Sequence, residues 1–279
     1  MTHFHKYHGL GNDYLVVRPE EIGAFELPPE RIREICDRHT GLGSDGILLG
    51  PLWPGRPGYP VWGRSDCLAA MRIYNPDGSE AEKSGNGLRI FTQFMADQKE
   101  VAVGQQFALS TWGGRALCSV LENYSRIRVE MGRVEFIAVD SPLEVGGKLF
   151  RVCEASIGNP HCIIPVTESD GGLSEMLART YGPLIEQYPR FPNRTNVQFL
   201  KKIDDHSIAI EIWERGAGYT LASGSSACCC AAAAVRLGLC SSPVAVNMPG
   251  GILHTEIDQN YQLIQTGPVA FVFSADTNL

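Results

Sequence analysis

The sequence predicts an α/β protein built as two related lobes, and three observations carry that prediction. The chain has 279 residues, above the usual single-domain size and enough for either one large domain or two modest ones. A Gly-Asn turn running into an apolar strand occurs twice, as Gly9-Leu-Gly-Asn-Asp-Tyr-Leu-Val-Val and as Ser156-Ile-Gly-Asn-Pro-His-Cys-Ile-Ile. Downstream of each comes a Ser-Gly dipeptide that opens a helix, Ser84-Gly-Asn-Gly-Leu-Arg and Ser223-Gly-Ser-Ser-Ala-Cys. Asn12 and Ser84 are 72 positions apart and Asn159 and Ser223 are 64 apart, so the second half repeats the spacing of the first. The expected division is residues 1–120 for the first lobe, with 268–279 returning to it, and 121–267 for the second. A cleft between them would let two helix N-termini face one substrate.

Each element follows from local pattern. The segment Phe4 to Val17 and the run Gly46 to Leu49 read as strands, separated by Pro- and Glu-rich sequence and a short helix near Glu30 to Arg38. The prolines and glycines between Pro51 and Gly63 prevent regular structure, so an exposed loop, a candidate lid, is expected there. From Gly85 to about Lys99, Leu88, Phe91, Phe94 and Met95 fall on one face of an amphipathic helix. Strands dominate the chain beyond it, including Gln106 to Thr111 and Arg126 to Met131. A second helix is expected over Ser225 to Leu237, stopped by Gly238. Its residues Cys228 to Val235 are small and apolar on every face, which suits a central helix under tight cover.

Composition narrows the function classes. The net charge is −7 and no basic run is present, which argues against nucleic acid as a partner. No stretch approaches eighteen unbroken apolar residues, and the segment Met1 to Gly9 lacks the apolar core of a signal peptide. No membrane association and a cytoplasmic location are expected. Nine cysteines, an odd number without a CxxC pair, read as reduced thiols. Cys228, Cys229 and Cys230 point about 100° apart on a helix and cannot close round one metal; His3 and His5, near the terminus, are read as incidental. No metal and no cofactor are expected.

A helix N-terminus offers unpaired N–H groups and partial positive charge, so it can hold a carboxylate or stabilise an anion. Serine is also among the commonest helix caps, and each serine alone reads as a cap; the pairing raises the functional reading. Asn75-Pro-Asp-Gly-Ser-Glu alone is a turn, Glu214-Arg-Gly-Ala-Gly alone a surface ion pair beside a flexible turn, and Asn196 alone a strand or loop residue.

Taken together, His8-Gly-Leu-Gly-Asn-Asp, Arg38-His-Thr-Gly-Leu-Gly-Ser-Asp-Gly, Asn75-Pro-Asp-Gly-Ser-Glu-Ala-Glu, Ser84-Gly-Asn-Gly, Gly158-Asn-Pro-His, Asn196-Val and Glu214-Arg-Gly-Ala-Gly resemble the ordered motif set of the diaminopimelate epimerase family across nearly the whole chain. The resemblance implies two pseudo-symmetric lobes, each an antiparallel, barrel-like sheet around a central helix. It also implies an isomerase that epimerises or racemises an amino-acid α-carbon without pyridoxal phosphate, one thiolate removing the proton and an opposed thiol returning one. Ser84 and Ser223 occupy the positions of those two cysteines. Carried over, the reacting end of the substrate meets Asn12, Gly85, Asn86, Asn159, Gly224 and Ser225. The far end meets Asn75, Asn196, Glu214 and Arg215, with Arg215 on a carboxylate and Glu214 on an ammonium. A homodimer is what the family suggests.

The serines set a chemical condition. A thiol can be tuned to thiolate near neutral pH, whereas a hydroxyl needs a neighbouring base; Lys83 and His161 are the candidates. Lys83, Ser225-Ser226 and Tyr219 also depart from the family pattern, and two introduced substitutions would not produce those departures, so the sequence reads as a divergent natural branch. Three classes remain open: an epimerase of a diaminopimelate-like amino acid, a different isomerase or lyase on the same scaffold, and a non-catalytic amino-acid-binding homologue.

Overall fold

The computed structural model describes residues 1–121, 126–168 and 171–278. In chain order the strands are β1 (Thr2–Gly9), β2 (Asn12–Val17), β3 (Ile47–Leu52), β4 (Ala69–Tyr74), β5 (Gln106–Thr111), β6 (Gly114–Val120), β7 (Ile127–Arg133), β8 (Glu135–Val145), β9 (Lys148–Ser156), β10 (Pro160–Pro165), β11 (Asn196–Asp204), β12 (Ser207–Glu214), β13 (Gly218–Thr220), β14 (Val244–Met248), β15 (Gly251–Ile257), β16 (Gln262–Gly267) and β17 (Ala270–Thr277). The helices are α1 (Pro19–Ile22), α2 (Pro29–Cys36), α3 (Gly85–Asp97), α4 (Glu175–Glu186) and α5 (Gly224–Arg236). The chain divides into two compact units, Met1–Glu130 with Gly267–Leu279, and Met131–Thr266.

The two units share one strand plan. In the first, β17 pairs antiparallel with β1 and β1 with β2; β2 runs parallel to β3, β3 antiparallel to β4, β4 parallel to β5, and β5, β6 and β7 are antiparallel neighbours. In the second, β8, β9 and β10 are antiparallel, β10 is parallel to β11, β11 antiparallel to β12, β12 parallel to β14, and β14, β15 and β16 antiparallel. Each sheet is therefore a set of antiparallel hairpins joined by two parallel pairs. A parallel pair needs a crossover, and the longer helices lie in those crossovers: α2 and α3 in the first unit, α4 and α5 in the second.

Strand β3, with helices on both faces, is buried along its whole length. Ile32 and Ile35 of α2 cluster with Phe4, Leu15, Val17, Ile47 and Leu49. Leu48, between the last two, points the other way, where a Cβ added at Gly87 of α3 would lie 3.2 Å from its Cδ2. The run Ile47-Leu48-Leu49 is thus buried on both faces, as expected for a covered strand. In the second unit Leu177 and Ile185 of α4 cluster with Phe150, Val152, Ile164, Val197 and Phe199.

The central helices explain their own composition. Helix α3 touches β1, β2 and β6, and every residue from Gly85 to Ala96 is buried. Helix α5 touches β9, β10, β11, β12, β14 and β15, and only Ala, Cys, Ser and Gly side chains let six strands approach so closely; Cys228 to Ala234 are wholly buried. Residues 53–68 hold no helix or strand, but β3 runs on through Pro51 to Leu52. Helix α4 was not expected from the sequence: Ser174 caps it by accepting from Leu177 N at 3.2 Å, while Pro183 in its last turn interrupts the helical signal. All nine cysteines are buried and none is in a disulfide. No helix among the described residues is long and apolar enough to cross a membrane.

Candidate functional site

In the first unit the site grows from a two-residue turn. Leu10 (φ 58°) and Gly11 (φ 91°) both adopt the left-handed region, the conformation that lets two residues close a twisted hairpin. The turn presents Asn12, whose Nδ2 donates to Asp45 Oδ2 at 3.1 Å and whose Oδ1 accepts from Asn86 Nδ2 at 3.0 Å. The fully buried Arg89 guanidinium donates to Asn86 Oδ1. Arg38 Nη2 lies 2.7 Å from both Asp13 Oδ1 and Asp45 Oδ1, and Lys6 Nζ lies 2.7 Å from Asp13 Oδ2. Burial alone would raise the Asp13 carboxyl, but the bonds from Arg38 and Lys6 hold it at about 2. Asp45 is pushed up by burial. The role of the Arg38 to Gly46 motif is thereby visible: it supplies the cation and the carboxylate that fix the turn.

Ser84 caps α3 with φ −136° and ψ 121°, its Oγ accepting from Gly87 N at 3.0 Å. Tyr14 Oη stands 3.3 Å from the same Oγ. The sequence reading missed Tyr14; its signal is its place two residues after the turn asparagine. Gly85 and Asn86 form the first turn of α3. Asn75 lies at the end of β4 in a turn, its Nδ2 donating to Ser79 Oγ at 2.9 Å while Gly78 N donates to its carbonyl at 3.0 Å.

In the second unit Asn159 leads into β10, and its Oδ1 lies 3.0 Å from His161 Nε2. Burial lowers the His161 imidazole to about 4, so at neutral pH it is uncharged and a weak base. Asn196 is the register partner of His161; its Nδ2 donates to Pro160 O at 2.9 Å and its Oδ1 accepts from Arg215 N at 3.0 Å. Arg215 Nη1 donates to Asn193 O at 3.2 Å. Glu214 ends β12 opposite Gly218. Glu186, buried on α4, accepts from Gly216 N and from Trp213 Nε1, each at 2.8 Å, and pairs with Arg194. It anchors the turn that carries Arg215, and the sequence reading missed it together with α4.

Ser223 caps α5 with φ −144° and ψ 125°, nearly the backbone of Ser84, but its hydroxyl makes no capping bond. The first turn is held from elsewhere: Gln265 Nε2 donates to Gly224 O at 2.8 Å and Gln198 Nε2 to Ser226 Oγ at 3.0 Å. Ser225 is half-buried beside them. Tyr219 is occupied structurally, donating to Glu211 Oε2 at 2.7 Å with Arg179 over its ring. Asn12, Ser84, Gly85 and Asn86 are thus assembled in one unit, Asn159 leads into the strand paired with that of Asn196, and Asn196 is bonded to Arg215; Ser223, Gly224 and Ser225 open α5. Among the described residues no group of three His, Cys, Asp or Glu side chains is placed to hold a metal ion.

The geometry has counterparts among known proteins. The diaminopimelate epimerase family model matches residues 4–137 and 153–272. The chain is 46% identical to diaminopimelate epimerase 2 of Nostoc sp. PCC 7120, over 95% of this chain and 92% of that protein. It is 36% identical to diaminopimelate epimerase of Synechocystis sp. PCC 6803, over 99% of each. Among solved structures, a hydroxyproline epimerase from Agrobacterium vitis superposes with a TM-score of 0.70 at 14% identity, covering 98% of this chain and 91% of that one. A PhzF-family phenazine biosynthesis protein from Bacillus anthracis gives 0.69 at 14% identity over the full length of both. The last two speak to the fold, a repeated sheet around a buried helix. The sequence matches run through both copies of that repeat, and on them the chain belongs to the diaminopimelate epimerase family.

Proposed function

We propose that this protein is a cofactor-independent amino-acid epimerase whose substrate is a diaminopimelate-like diamino acid, with Ser84 and Ser223 as its proton-transfer residues. The observation that carries the reading is the duplicated cap: two serines with nearly the same φ and ψ open the two buried helices at equivalent points of one repeated strand plan. Removing an α-proton leaves negative charge that spreads into the adjacent carboxylate, and the first-turn N–H groups of α3 and α5 are suited to stabilise it. Asn12, Asn86 and Asn159 supply amides for the reacting end, with Gly85, Gly224 and Ser225 presenting backbone. Asn75, Asn196, Glu214 and Arg215 take the far end, Arg215 binding its carboxylate and Glu214 its ammonium. The family setting supports a cytoplasmic enzyme of lysine biosynthesis acting as a homodimer.

The test is α-hydrogen exchange in deuterated water with diaminopimelate isomers and with analogues truncated at the far end. Exchange is expected for the full diamino acid, with at least a tenfold drop for truncated analogues and for Arg215→Met. No exchange above buffer with any isomer overturns the reading. Binding by calorimetry without exchange would instead identify a non-catalytic amino-acid-binding homologue.

A further inference from the structure

The geometry points to Tyr14 as the positioning residue through which the Ser84 hydroxyl exchanges its proton, an inference that rests on the epimerase reading. The Tyr14 side chain is buried and its ring lies over Gly46, where an added Cβ would sit 2.7 Å from Tyr14 Cε1 and 2.4 Å from Tyr74 O. The glycine makes room for the ring, and strand β2 is fixed on either side of it: Asp13 N donates to Asp45 Oδ2 at 3.1 Å and Leu15 N to Gly46 O at 3.0 Å. So held, Tyr14 Oη reaches to 3.3 Å from Ser84 Oγ. The second unit differs. Two residues beyond its turn asparagine stands His161, bonded to Asn159, and the Ser223 hydroxyl has no capping bond.

The arrangement meets the condition that a hydroxyl needs help to move a proton. Ser84 Oγ accepts one bond from Gly87 N–H, leaving a second lone pair for the Tyr14 hydroxyl and the serine proton for the substrate. When the α-carbanion is protonated, its electron pair forms a C–H bond with the Ser84 proton. The Ser84 O–H bond breaks and Oγ takes the Tyr14 proton, leaving a phenolate. In the reverse direction the phenolate takes the Ser84 proton as Oγ receives the α-proton. The charge rests on a phenolate, a weaker base than an alkoxide because its charge spreads into the ring.

The test compares Tyr14→Phe in two backgrounds, the natural chain and Ser84→Cys with Ser223→Cys, by α-deuterium incorporation into diaminopimelate isomers. A thiol carries the charge itself, so the requirement for Tyr14 should belong to the serine background. The expected result is a loss of about 100-fold in the natural chain and a loss of only severalfold in the double-cysteine chain, with both Tyr14→Phe chains keeping the circular dichroism of their parents. Equal losses in the two backgrounds would make Tyr14 merely structural, and undiminished exchange by Tyr14→Phe in the serine background would remove the relay; either overturns the inference while leaving the epimerase reading intact. No exchange by the natural chain overturns both.

Discussion

The Asn86 amide donates to Asn12 Oδ1 across 3.0 Å, and through that bond the helix capped by Ser84 is tied to the first hairpin of its unit. Asn86 is 4% exposed and also accepts from the buried Arg89 guanidinium. Asn86→Leu keeps the volume but leaves Asn12 without that donor and Arg89 without that acceptor. The expected cost is about 3 kcal/mol, read from the urea midpoint at constant slope. A change under about 0.5 kcal/mol would show that the bridge is not structural.

The Asp13 carboxyl makes part of the stability acid-sensitive. Its folded value of about 2 lies below its ordinary 3.8, so the stabilisation is fully present above pH 4 and is lost as pH falls through 2. Asp45, shifted upward by burial, works in the opposite sense, and Arg38 is half-exposed, so the net contribution of the Arg38 pair is about 1 kcal/mol. Arg38→Met should lower stability by that amount at pH 7, and the difference should shrink between pH 4 and pH 2. A gap independent of pH would contradict the assignment.

The boundaries of the two central helices were legible because their signals are local: Ser84 and Ser223 at the starts, and Gly238 beyond the end of α5, at φ 70°. The repeat was legible because its turn and cap motifs recur in order. Helix α4 was hidden by Pro183, and with it Glu186. The parallel pairings β2 with β3 and β10 with β11 join segments 30 or more residues apart, which no local pattern specifies. The approach of Tyr14 to Ser84 depends on that pairing, because Gly46, at the entry to β3, makes the room.

Gly46 supplies a packing test of the same point. Gly46→Ala places a Cβ 2.4 Å from Tyr74 O, too close for any real contact, so the backbone or the Tyr14 ring must move. The expected cost is about 2 kcal/mol, with an altered Tyr absorbance spectrum. An unperturbed stability would mean that the strand yields freely.

Glu186 anchors the Arg215 turn by accepting from Gly216 N and Trp213 Nε1. Glu186→Gln loses one charged acceptor and turns an amide donor toward groups that themselves donate. A loss of about 2 kcal/mol is expected, together with a shift in Trp213 fluorescence. Wild-type stability and fluorescence would show the turn to be held by other contacts.

The central claim is that Ser84 and Ser223 each carry one half of the proton transfer. Proton NMR of LL-diaminopimelate in deuterated water measures this most directly, following both conversion to the meso isomer and α-deuterium incorporation for the natural chain, Ser84→Ala and Ser223→Ala. The natural chain should convert the substrate with deuterium incorporation, and each single variant should lose conversion by at least about 100-fold. Conversion that survives either substitution at near its original rate would contradict the claim.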